Sequence, residues 1–472
     1  MMPDLRASSS LALGLPAFAR PACAIFARLR LAARRLTCVG LLAATLVLVA
    51  CARPVPRGEI RTRLAAQGRP NLVLIVVDTL RADRTTPYGF SPDTTPELAR
   101  WAARGVLFER ALAQSSWTKI SMASLLTSLW PRTHAIRDVR DGLGEGVTTL
   151  AEALRDAGYR CYAVQTNGWL DQSFGFQQGF ERYVFPAGRG AQLPKAGIWP
   201  HVDRVVEESE RLLAAHDRGA PFFLYLHFMD VHEYAAPPEF QRFGSDAAGA
   251  YLAAISWVDD GIRRVRETLE RADLARSTAI VFASDHGESL GEHGVTGHAR
   301  DLRAPVLHVP LVVRLPFESE PVRVAAQVRN LDIAPTLLEL AGVAVPAGFE
   351  GESLLPLIDG AGDAAQDRPS FAALGTPLYP DAAEQASLSD GGWSYARRVA
   401  PDPRAGEEQL FDLAVDPGEN VDLAAREPDA AARLRARLDA HLATPPRAGA
   451  RVQGVHIDPS IAERLRAMGY LR

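Results

Sequence analysis

The sequence predicts an α/β protein with a doubly wound, mostly parallel central sheet and a small C-terminal α+β subdomain. Three continuous apolar runs, NLVLIVV, PFFLYLHF and TAIVFAS, are typical of strands that are buried on both faces. Segments with helix signals alternate with these runs, which favours a doubly wound sheet. The 472 residues are 47% apolar and 23% charged, so the chain can build a large core.

The first fifty residues are predicted to be a lipoprotein-type signal peptide. Arginines precede an apolar run at residues 39–50, which is shorter than the roughly 20 residues of a membrane span. The run ends in Leu48-Val49-Ala50-Cys51 and resembles a bacterial lipoprotein signal, in which Cys51 is lipidated and becomes the mature N-terminus. The alternative is an uncleaved signal anchor. Both place the body of the protein in the cell envelope, outside the cytoplasm, and the first anchors it to a membrane by lipid.

The rest of the chain divides into three segments by composition. Residues 51–70 are rich in Arg, Pro and Gly without apolar periodicity, and we expect a tether there. Residues 71–360 carry the alternating strands and helices and are predicted to form the main domain. Residues 361–472 are predicted to form the C-terminal subdomain, with short strands and a helix whose leucines repeat every fourth residue.

Two helices of the main domain have clear start signals. In TTPELARWAARG, Thr95 is the predicted N-cap and Pro96 the first helical residue. In TLAEALRDAG, Thr149 and Glu152 form a predicted capping box. The formal net charge of −4 gives no sign of a nucleic-acid partner.

Chemically active side chains follow each of the three apolar runs. Asp78 ends the first run, Asp230 and His232 follow the second, and Asp285 and His286 end the third. Ligands bind beyond the carboxyl ends of the strands in sheets of this class, so we expect these side chains at one site. Asp78, Asp285 and His286 offer oxygen and nitrogen donors, which suit Ca, Mg, Mn or Zn.

Thr118 stands where a polar cluster meets an apolar, helix-like stretch in SSWTKISMASLLTS. On this stretch alone, a helix cap is the simpler interpretation, because Ser and Thr are common at that position. A further histidine, His298, lies twelve residues after His286. With Asp230 and His232 it forms a second group of candidate site residues. Singly, each has an ordinary interpretation as a turn or core residue.

Taken together, these motifs resemble the sulfatase family of the alkaline phosphatase superfamily. The family's order and approximate spacing are kept over nearly all of residues 70–472 by VVDTLRAD, SSWTKISMASLLTSLWP, YLHFMDVHEY, SDHGESLGEHG, LDIAPTLLELAG and LFDLAVDPGENVDL. The resemblance implies an alkaline-phosphatase-like αβα sandwich and one or two bound divalent metal ions. It also implies hydrolysis of an anionic sulfate or phosphate ester through a covalent intermediate.

The resemblance also implies a role for individual residues. Thr118 falls on the nucleophile, at a helix N-terminus that favours anionic groups. Asp78, Asp285 and His286 would hold the metal, with the Thr118 oxygen as a further ligand. Asn167 could donate a hydrogen bond to a substrate oxygen, or it is a turn residue in Asn-Gly.

His232 and His298 would contact the substrate oxyanion or the leaving group. Together with Asp230 they could instead hold a second metal ion, as in two-metal sites for phosphoryl transfer.

The sequence departs from the family at the nucleophile. Typical sulfatases carry Cys or Ser there, inside a C/S-x-P-x-R signature, and convert it to formylglycine. Thr118 cannot form that aldehyde, and Ile120 and Met122 occupy the Pro and Arg positions. A threonine nucleophile resembles the phosphoryl-transfer branches of the superfamily, such as phosphodiesterases and phosphonate hydrolases. The first strand gives Asp78-Thr79 where the family has paired aspartates.

Three functions follow as hypotheses. The first is a metal-dependent hydrolase of sulfate or phosphate esters. The second is a transferase that moves a phospho-headgroup between envelope lipid or glycan acceptors. The third is a non-catalytic binding protein on the same scaffold, motivated by the altered signature.

Overall fold

A computed structural model of the chain describes residues 54–186, 201–362, 366–399, 401–402 and 404–467. The predicted signal peptide at residues 1–50 and the predicted lipidation site Cys51 lie outside these residues. Within the described residues, no helix combines the length and the apolar character that crossing a membrane requires.

The described residues form sixteen strands and twelve α-helices. The strands are β1 Asn71–Val77, β2 Val106–Leu112, β3 Gly142–Leu143, β4 Arg160–Val164, β5 Arg182–Val184, β6 Phe222–Phe228, β7 Thr278–Ser284, β8 Ser289–Leu290, β9 Thr296–Gly297, β10 His308–Arg314, β11 Val322–Arg329, β12 Ser370–Leu374, β13 Gln385–Asp390, β14 Trp393–Arg398, β15 Glu408–Asp412 and β16 Arg451–Val452. The helices are α1 Ile60–Gln67, α2 Pro96–Ala102, α3 Thr118–Thr127, α4 Pro131–His134, α5 Leu150–Asp156, α6 His201–Ala215, α7 Ala247–Arg271, α8 Ala304–Leu307, α9 Ile333–Leu340, α10 Leu355–Asp359, α11 Pro428–Leu442 and α12 Pro459–Ala467.

Eight strands form the central sheet, in the order β11-β2-β10-β7-β1-β6-β4-β5. Among them, β10 alone runs antiparallel to its neighbours, so the predicted mostly parallel sheet is confirmed. The three apolar runs of the sequence are the adjacent strands β7, β1 and β6. Val77 at the end of β1 pairs with Phe228 and with Ser284. The residues that follow these three strands therefore emerge side by side at one edge.

Helices cover both faces of the sheet, which confirms the predicted αβα sandwich. Successive side chains of β1 alternate between two cores. Leu74 and Val76 belong to the core shared with α3, α5 and α9. Ile75 and Val77 belong to the core shared with α6 and α7. β1 is buried along nearly its whole length because both faces are covered, which explains its continuous apolar sequence.

The segment predicted as a tether is packed against the main domain over residues 54–67. Ile60 in α1 is fully buried. The backbone N–H groups of Ile60 and Arg61 donate to Asp359 Oδ1 at 3.0 and 3.3 Å. The Arg57 guanidinium donates to the Leu357 carbonyl at 2.6 Å. The tether prediction is wrong for these residues because partners about 300 positions away, invisible to local periodicity, hold the segment.

The C-terminal subdomain is a four-stranded antiparallel sheet, in the order β12-β13-β14-β15, with α11 on one face. Leu434 and Leu438 of α11 are fully buried in a core that includes Leu388 and Tyr395. This is the apolar helix face that the leucine repeat predicts.

The last described residues return to the main domain. β16 pairs with β3, and Ile461 and Leu465 of α12 are buried in the main core. The two backbones approach so closely that a Cβ on Gly144 would lie 2.1 Å from the Gly449 carbonyl oxygen. Glycine is therefore required at this crossing.

The start of α2 is capped by a distant carboxylate rather than by the predicted N-cap. The Thr95 hydroxyl accepts a hydrogen bond from the Thr86 backbone N–H at 2.9 Å and makes no cap bond. Asp259 instead accepts from the backbone N–H groups of Glu97 and Leu98 at 2.8 and 2.9 Å. The capping box predicted for α5 is present.

His134 in α4 should make the fold sensitive to acid. Its Nδ1 accepts from the Ile136 backbone N–H at 3.1 Å, so Nε2–H donates to the Ser124 hydroxyl at 3.1 Å. Burial lowers the pKa of His134 from 6.5 to about 3. Between these two pKa values the unfolded chain binds more protons than the folded chain. We therefore expect the free energy of unfolding to decrease as the pH is lowered from about 6.5 to about 3, by roughly 1.4 kcal/mol per pH unit from this residue.

Urea unfolding at neutral and mildly acidic pH checks this expectation. The His134→Asn variant has no imidazole to protonate, so its free energy of unfolding should depend less steeply on pH. Equal slopes for the wild type and the variant would show that His134 does not cause the sensitivity.

Candidate active site

Three buried side chains meet at the carboxyl ends of β1 and β7. Asp78, Asp285 and His286 each offer one ligand atom, and these atoms lie within 4.8 Å of one another. All three residues are fully buried. The structure therefore assembles the three predicted metal ligands at the sheet edge where the sequence predicts a site.

Asp78 divides its two oxygens between different tasks. Its Oδ2 accepts hydrogen bonds from Asn167 Nδ2 at 2.7 Å and from His227 Nε2 at 3.0 Å. Its Oδ1 is buried and has no hydrogen-bond partner. A buried carboxylate oxygen without a partner is costly, so a cation is the partner that this atom fits.

Asp285 shows the same division. Its Oδ1 accepts from the backbone N–H groups of His286 at 2.9 Å and Thr79 at 3.3 Å, and its Oδ2 has no hydrogen-bond partner. Thr79 reaches Asp285 with φ at +58°, a left-handed conformation that is uncommon for a β-branched residue. The Tyr251 hydroxyl donates to the Thr79 carbonyl at 2.7 Å and holds this turn in place.

His286 completes the set with a nitrogen donor. Its Nδ1–H donates to the Gly287 carbonyl at 2.9 Å, so Nε2 carries the lone pair. That atom lies 3.4 Å from Asp285 Oδ2 and 3.9 Å from Asp78 Oδ1. Two partnerless carboxylate oxygens and an imidazole lone pair thus converge, and this donor set fits a divalent cation.

The two carboxylates oppose each other's ionisation. Burial and the charge of Asp78 raise the pKa of Asp285. Burial would also raise the pKa of Asp78, but the hydrogen bond from His227 and the charge of His232 hold it well below its usual range. A cation between them would favour the ionised form of both.

Thr118 is the first residue of α3, and its hydroxyl faces the candidate metal site. Oγ1 lies 3.2 Å from His286 Nε2 and 3.4 Å from Asp78 Oδ2. Trp117 occupies the N-cap position, and no side chain caps the helix. The helix-cap interpretation is therefore wrong, because Thr118 is the first helical residue and its hydroxyl contacts Asp78 and His286. Ile120 and Met122 are core residues.

The candidate substrate-side histidines also reach the site. The His298 ring centroid lies 4.8 Å from that of His286 and 4.9 Å from that of His232. His298 Nδ1 bonds Glu288 at 3.1 Å, and His232 Nδ1 bonds Glu233 at 3.1 Å. Each ring is thereby oriented by a carboxylate.

Their surroundings move the two pKa values in opposite directions. Burial lowers the pKa of His298, and the charge of Glu288 offsets only part of that effect. Burial also opposes the charged form of His232, but the hydrogen bond to Glu233 and the charge of Asp78 raise its pKa to about 9.

Asp230 is directed elsewhere. Its Oδ1 accepts from the Val202 backbone N–H at 3.4 Å, in the first turn of α6. Within the described residues, His, Cys, Asp and Glu side chains converge closely enough to hold a metal ion around Asp78, but not around Asp230. Asp230, His232 and His298 therefore do not form a preassembled second metal site in this part of the chain.

Asn167 satisfies both of its predicted interpretations in part. Its Oδ1 accepts from the Trp169 backbone N–H at 2.8 Å, as a turn residue does. Its Nδ2 donates to Asp78 and lies 3.4 Å from Thr118 Oγ1. The amide therefore stands beside the proposed nucleophile and contacts a candidate metal ligand.

Three buried residues in or beside the site are missing from the sequence-based prediction. His227 bonds Asp78, and Tyr225 bonds His227 Nδ1 at 2.7 Å, both from within β6. Lys119 is fully buried, and its Nζ donates to the carbonyls of Val139 and Asp141 at 2.8 and 2.9 Å. The sequence does contain a signal for His227, because a histidine is unusual inside an apolar, buried strand.

The sulfatase family model matches residues 70–343. The chain is 24% identical to arylsulfatase K of Mus musculus over 469 residues, covering 84% of each protein. It is 24% identical to choline-sulfatase of Rhizobium meliloti (strain 1021), covering 76% of the chain and 83% of that protein. Its fold matches phosphonate monoester hydrolase of Agrobacterium radiobacter with a TM-score of 0.66 and 22% identity, covering 79% and 95% of the two chains.

Proposed function

This chain belongs to the sulfatase family, and we propose that it is a metal-dependent hydrolase of sulfate or phosphate esters with Thr118 as the nucleophile. The observation that carries the proposal is the position of Thr118 Oγ1, 3.2 Å from His286 Nε2 and beside Asp78. The hydroxyl lies at a helix N-terminus, where backbone N–H groups favour the anionic group of an ester. A divalent cation held by Asp78, Asp285 and His286 would lower the pKa of this hydroxyl and stabilise developing negative charge.

Phosphate and phosphonate esters are the favoured substrates within this proposal. In a covalent intermediate on Thr118 Oγ1, Cβ carries no second oxygen that could expel the bound group. Water must therefore attack the phosphorus or sulfur atom to release the product. The A. radiobacter structure, described by its name as a phosphonate monoester hydrolase, has the same fold. Sulfate esters stay as the alternative because the matched relatives are named sulfatases.

The two histidines divide the proton transfers. His232, whose pKa is raised to about 9, is protonated at neutral pH and can donate to the leaving oxygen. His298, whose pKa is lowered, is neutral and can accept a proton from the attacking water. Environments that push two pKa values apart are typical of acid–base pairs.

We expect kcat/KM to fall at alkaline pH as His232 loses its proton, because the hydrogen bond to Glu233 keeps the pKa of His232 above its ordinary value of 6.5. His232→Gln keeps a polar side chain but cannot titrate, so this limb of the pH profile should disappear while overall activity falls. His216→Gln is the matched control, because His216 lies away from the site against Tyr162. An unchanged alkaline limb in His232→Gln would assign it to another group.

The test of function is turnover of p-nitrophenyl phosphate, bis-phosphate, phosphonate and sulfate esters by metal-supplied protein, with Thr118→Ala as reference. Turnover of phosphorus esters that the variant loses would support the proposal. Transfer to an added alcohol with little release to water would favour the transferase. Metal binding without turnover of any ester would favour the non-catalytic hypothesis.

We also propose that the protein is anchored by lipid on Cys51, outside the cytoplasm. The LVAC sequence after an apolar run supports this. Cell fractionation is the test: wild-type protein should sediment with membranes, and Cys51→Ser should not. Equal membrane association of both would point to an uncleaved signal anchor.

A further inference from the structure

Lys119, the residue after Thr118, lies in an enclosure of aromatic rings and has no part in the proposed reaction so far. It is fully buried, although lysine is almost never buried without specific partners. Its Nζ lies 3.6 Å from the ring centroid of Phe174, 4.7 Å from that of Trp169 and 5.7 Å from that of Trp117. The two tryptophan rings meet edge to face, with their centroids 5.4 Å apart. These three aromatic residues are called the aromatic enclosure below.

The amino group of Lys119 links the start of α3 to a neighbouring turn. Its Nζ donates to the Val139 carbonyl at 2.8 Å and to the Asp141 carbonyl at 2.9 Å. The Asp141 carboxylate closes this turn, because it accepts from the backbone N–H groups of Arg137 and Asp138, both at 2.9 Å. A lysine amine can donate two hydrogen bonds whether it is charged or neutral, so the link does not depend on its protonation state.

The aromatic enclosure also contacts the other side of the site. The Trp169 backbone N–H donates to Asn167 Oδ1 at 2.8 Å. Asn167 Nδ2 in turn donates to Asp78 Oδ2 at 2.7 Å and lies 3.4 Å from Thr118 Oγ1. All of these residues are fully buried, and close packing transmits the displacement of one side chain to the next. A closed path of contacts therefore leads from Thr118 through Lys119, the aromatic enclosure and Asn167 back to the Thr118 hydroxyl.

We infer that Lys119 is a positioning residue, which fixes the Thr118 hydroxyl relative to the Asn167 amide through the aromatic enclosure. This inference rests on the proposed role of Thr118 as the nucleophile. Lys119 acts by position and not by contact with the reacting atoms, because its hydrogen bonds go to the neighbouring turn. An apolar side chain in its place would leave the two carbonyls of that turn without these donors, which is costly for buried groups. Displacing a catalytic group by about 1 Å can lower the rate about 100-fold.

The first experiment observes the Asn167 amide by NMR, without any ester. The chain contains four asparagines, at positions 71, 167, 330 and 420, so isotope-labelled asparagine gives four side-chain amide signals. Lys119→Met keeps much of the length and bulk of the side chain but removes both hydrogen bonds. We expect it to shift the Asn167 signal and to leave the other three in place.

Two other outcomes of this experiment are informative. Four unchanged signals, in a variant with the melting temperature of the wild type, would overturn the inference. A shift of all four signals would indicate general damage to the fold by methionine. Lys119→Gln, which donates from a side chain one bond shorter, then takes its place and should shift the Asn167 signal alone.

The second experiment measures kinetics on p-nitrophenyl phosphate and phosphonate esters with metal-supplied protein. Lys119→Met should lower kcat by about 10–100-fold and change KM by less than about twofold, because the groups that bind the ester stay and the nucleophile is displaced. Ser124→Ala is the matched control, since it removes another buried hydrogen bond of α3, 3.1 Å long, to His134, and should leave kcat unchanged.

The kinetic result separates this inference from the proposed function. Wild-type kcat in Lys119→Met, or an equal loss in Ser124→Ala, would overturn the positioning role while the hydrolase proposal stands. No turnover of these esters by the wild type would count against the proposed function. The Asn167 signal would then decide whether Lys119 holds the amide in place.

Discussion

Thr118→Ala is expected to lower kcat by about 10³-fold or more, while the protein still folds and still binds metal. The hydroxyl is the nucleophile in the proposed reaction, and alanine leaves no oxygen beside His286 Nε2. Since Asp78, Asp285 and His286 are unchanged, metal affinity should weaken only by the loss of one neutral ligand. Activity and metal binding therefore separate in this variant.

Two further variants give this result its meaning. Thr118→Ser keeps the hydroxyl and should retain far more activity than alanine. Thr127→Ala removes a second buried threonine of α3, whose hydroxyl donates to the Ala123 carbonyl at 2.6 Å, and should leave kcat unchanged. A Thr118→Ala protein with wild-type kcat would exclude Thr118 as nucleophile, and comparable losses in both alanine variants would indicate damage to the helix.

Asp285→Asn is expected to abolish metal binding and yet to stabilise the metal-free protein. The amide keeps an oxygen that accepts from the backbone N–H groups of His286 and Thr79. Its uncharged NH₂ group, however, replaces the carboxylate oxygen Oδ2 that would bind the cation. Metal stabilises the wild type by about 2.7 kcal/mol at a concentration of 100 Kd, and the variant should lose this gain.

The stabilisation of the metal-free variant follows from the raised pKa of Asp285, about 7. In the folded protein this carboxylate holds its proton to higher pH than in the unfolded chain. Stability of the metal-free wild type therefore falls as pH rises from the unfolded value of about 3.9 through 7. Asparagine does not ionise and escapes this loss.

Melting temperatures at pH 8 with and without Mn²⁺ check both signs. Asp259→Asn is the control for the effect of metal. Asp259 is another buried aspartate, and it accepts hydrogen bonds from the backbone N–H groups of Glu97 and Leu98 instead of contacting the candidate metal ligands. It should respond to metal as the wild type does. A metal-induced rise in the melting temperature of Asp285→Asn would contradict the assignment of Asp285 as a ligand.

The parts of this protein that the sequence predicts are those written in local patterns. Continuous apolar runs identify strands β1, β6 and β7, because burial on both faces leaves few positions for polar residues. The residues after them meet because parallel strands share a carboxyl edge. Thr118 needed the family resemblance, since a threonine before a helix is ordinarily a cap.

The parts that the sequence does not predict depend on partners far along the chain. α1 lacks apolar periodicity and is held by Asp359. The start of α2 is capped by Asp259 in place of Thr95. His227 looks like one polar residue in an apolar strand until its contact with Asp78 is known. Local rules cannot choose between such partners, because tertiary contacts override them.

The return of the C-terminal residues to the main domain has a consequence for synthesis. β16 pairs with β3 across about 300 residues, and Ile461 and Leu465 fill the main core beside helices made much earlier. A nascent chain that has not yet delivered these residues leaves that core open to water. We therefore expect the large domain to complete its folding only after the residues of β16 and α12 have left the ribosome.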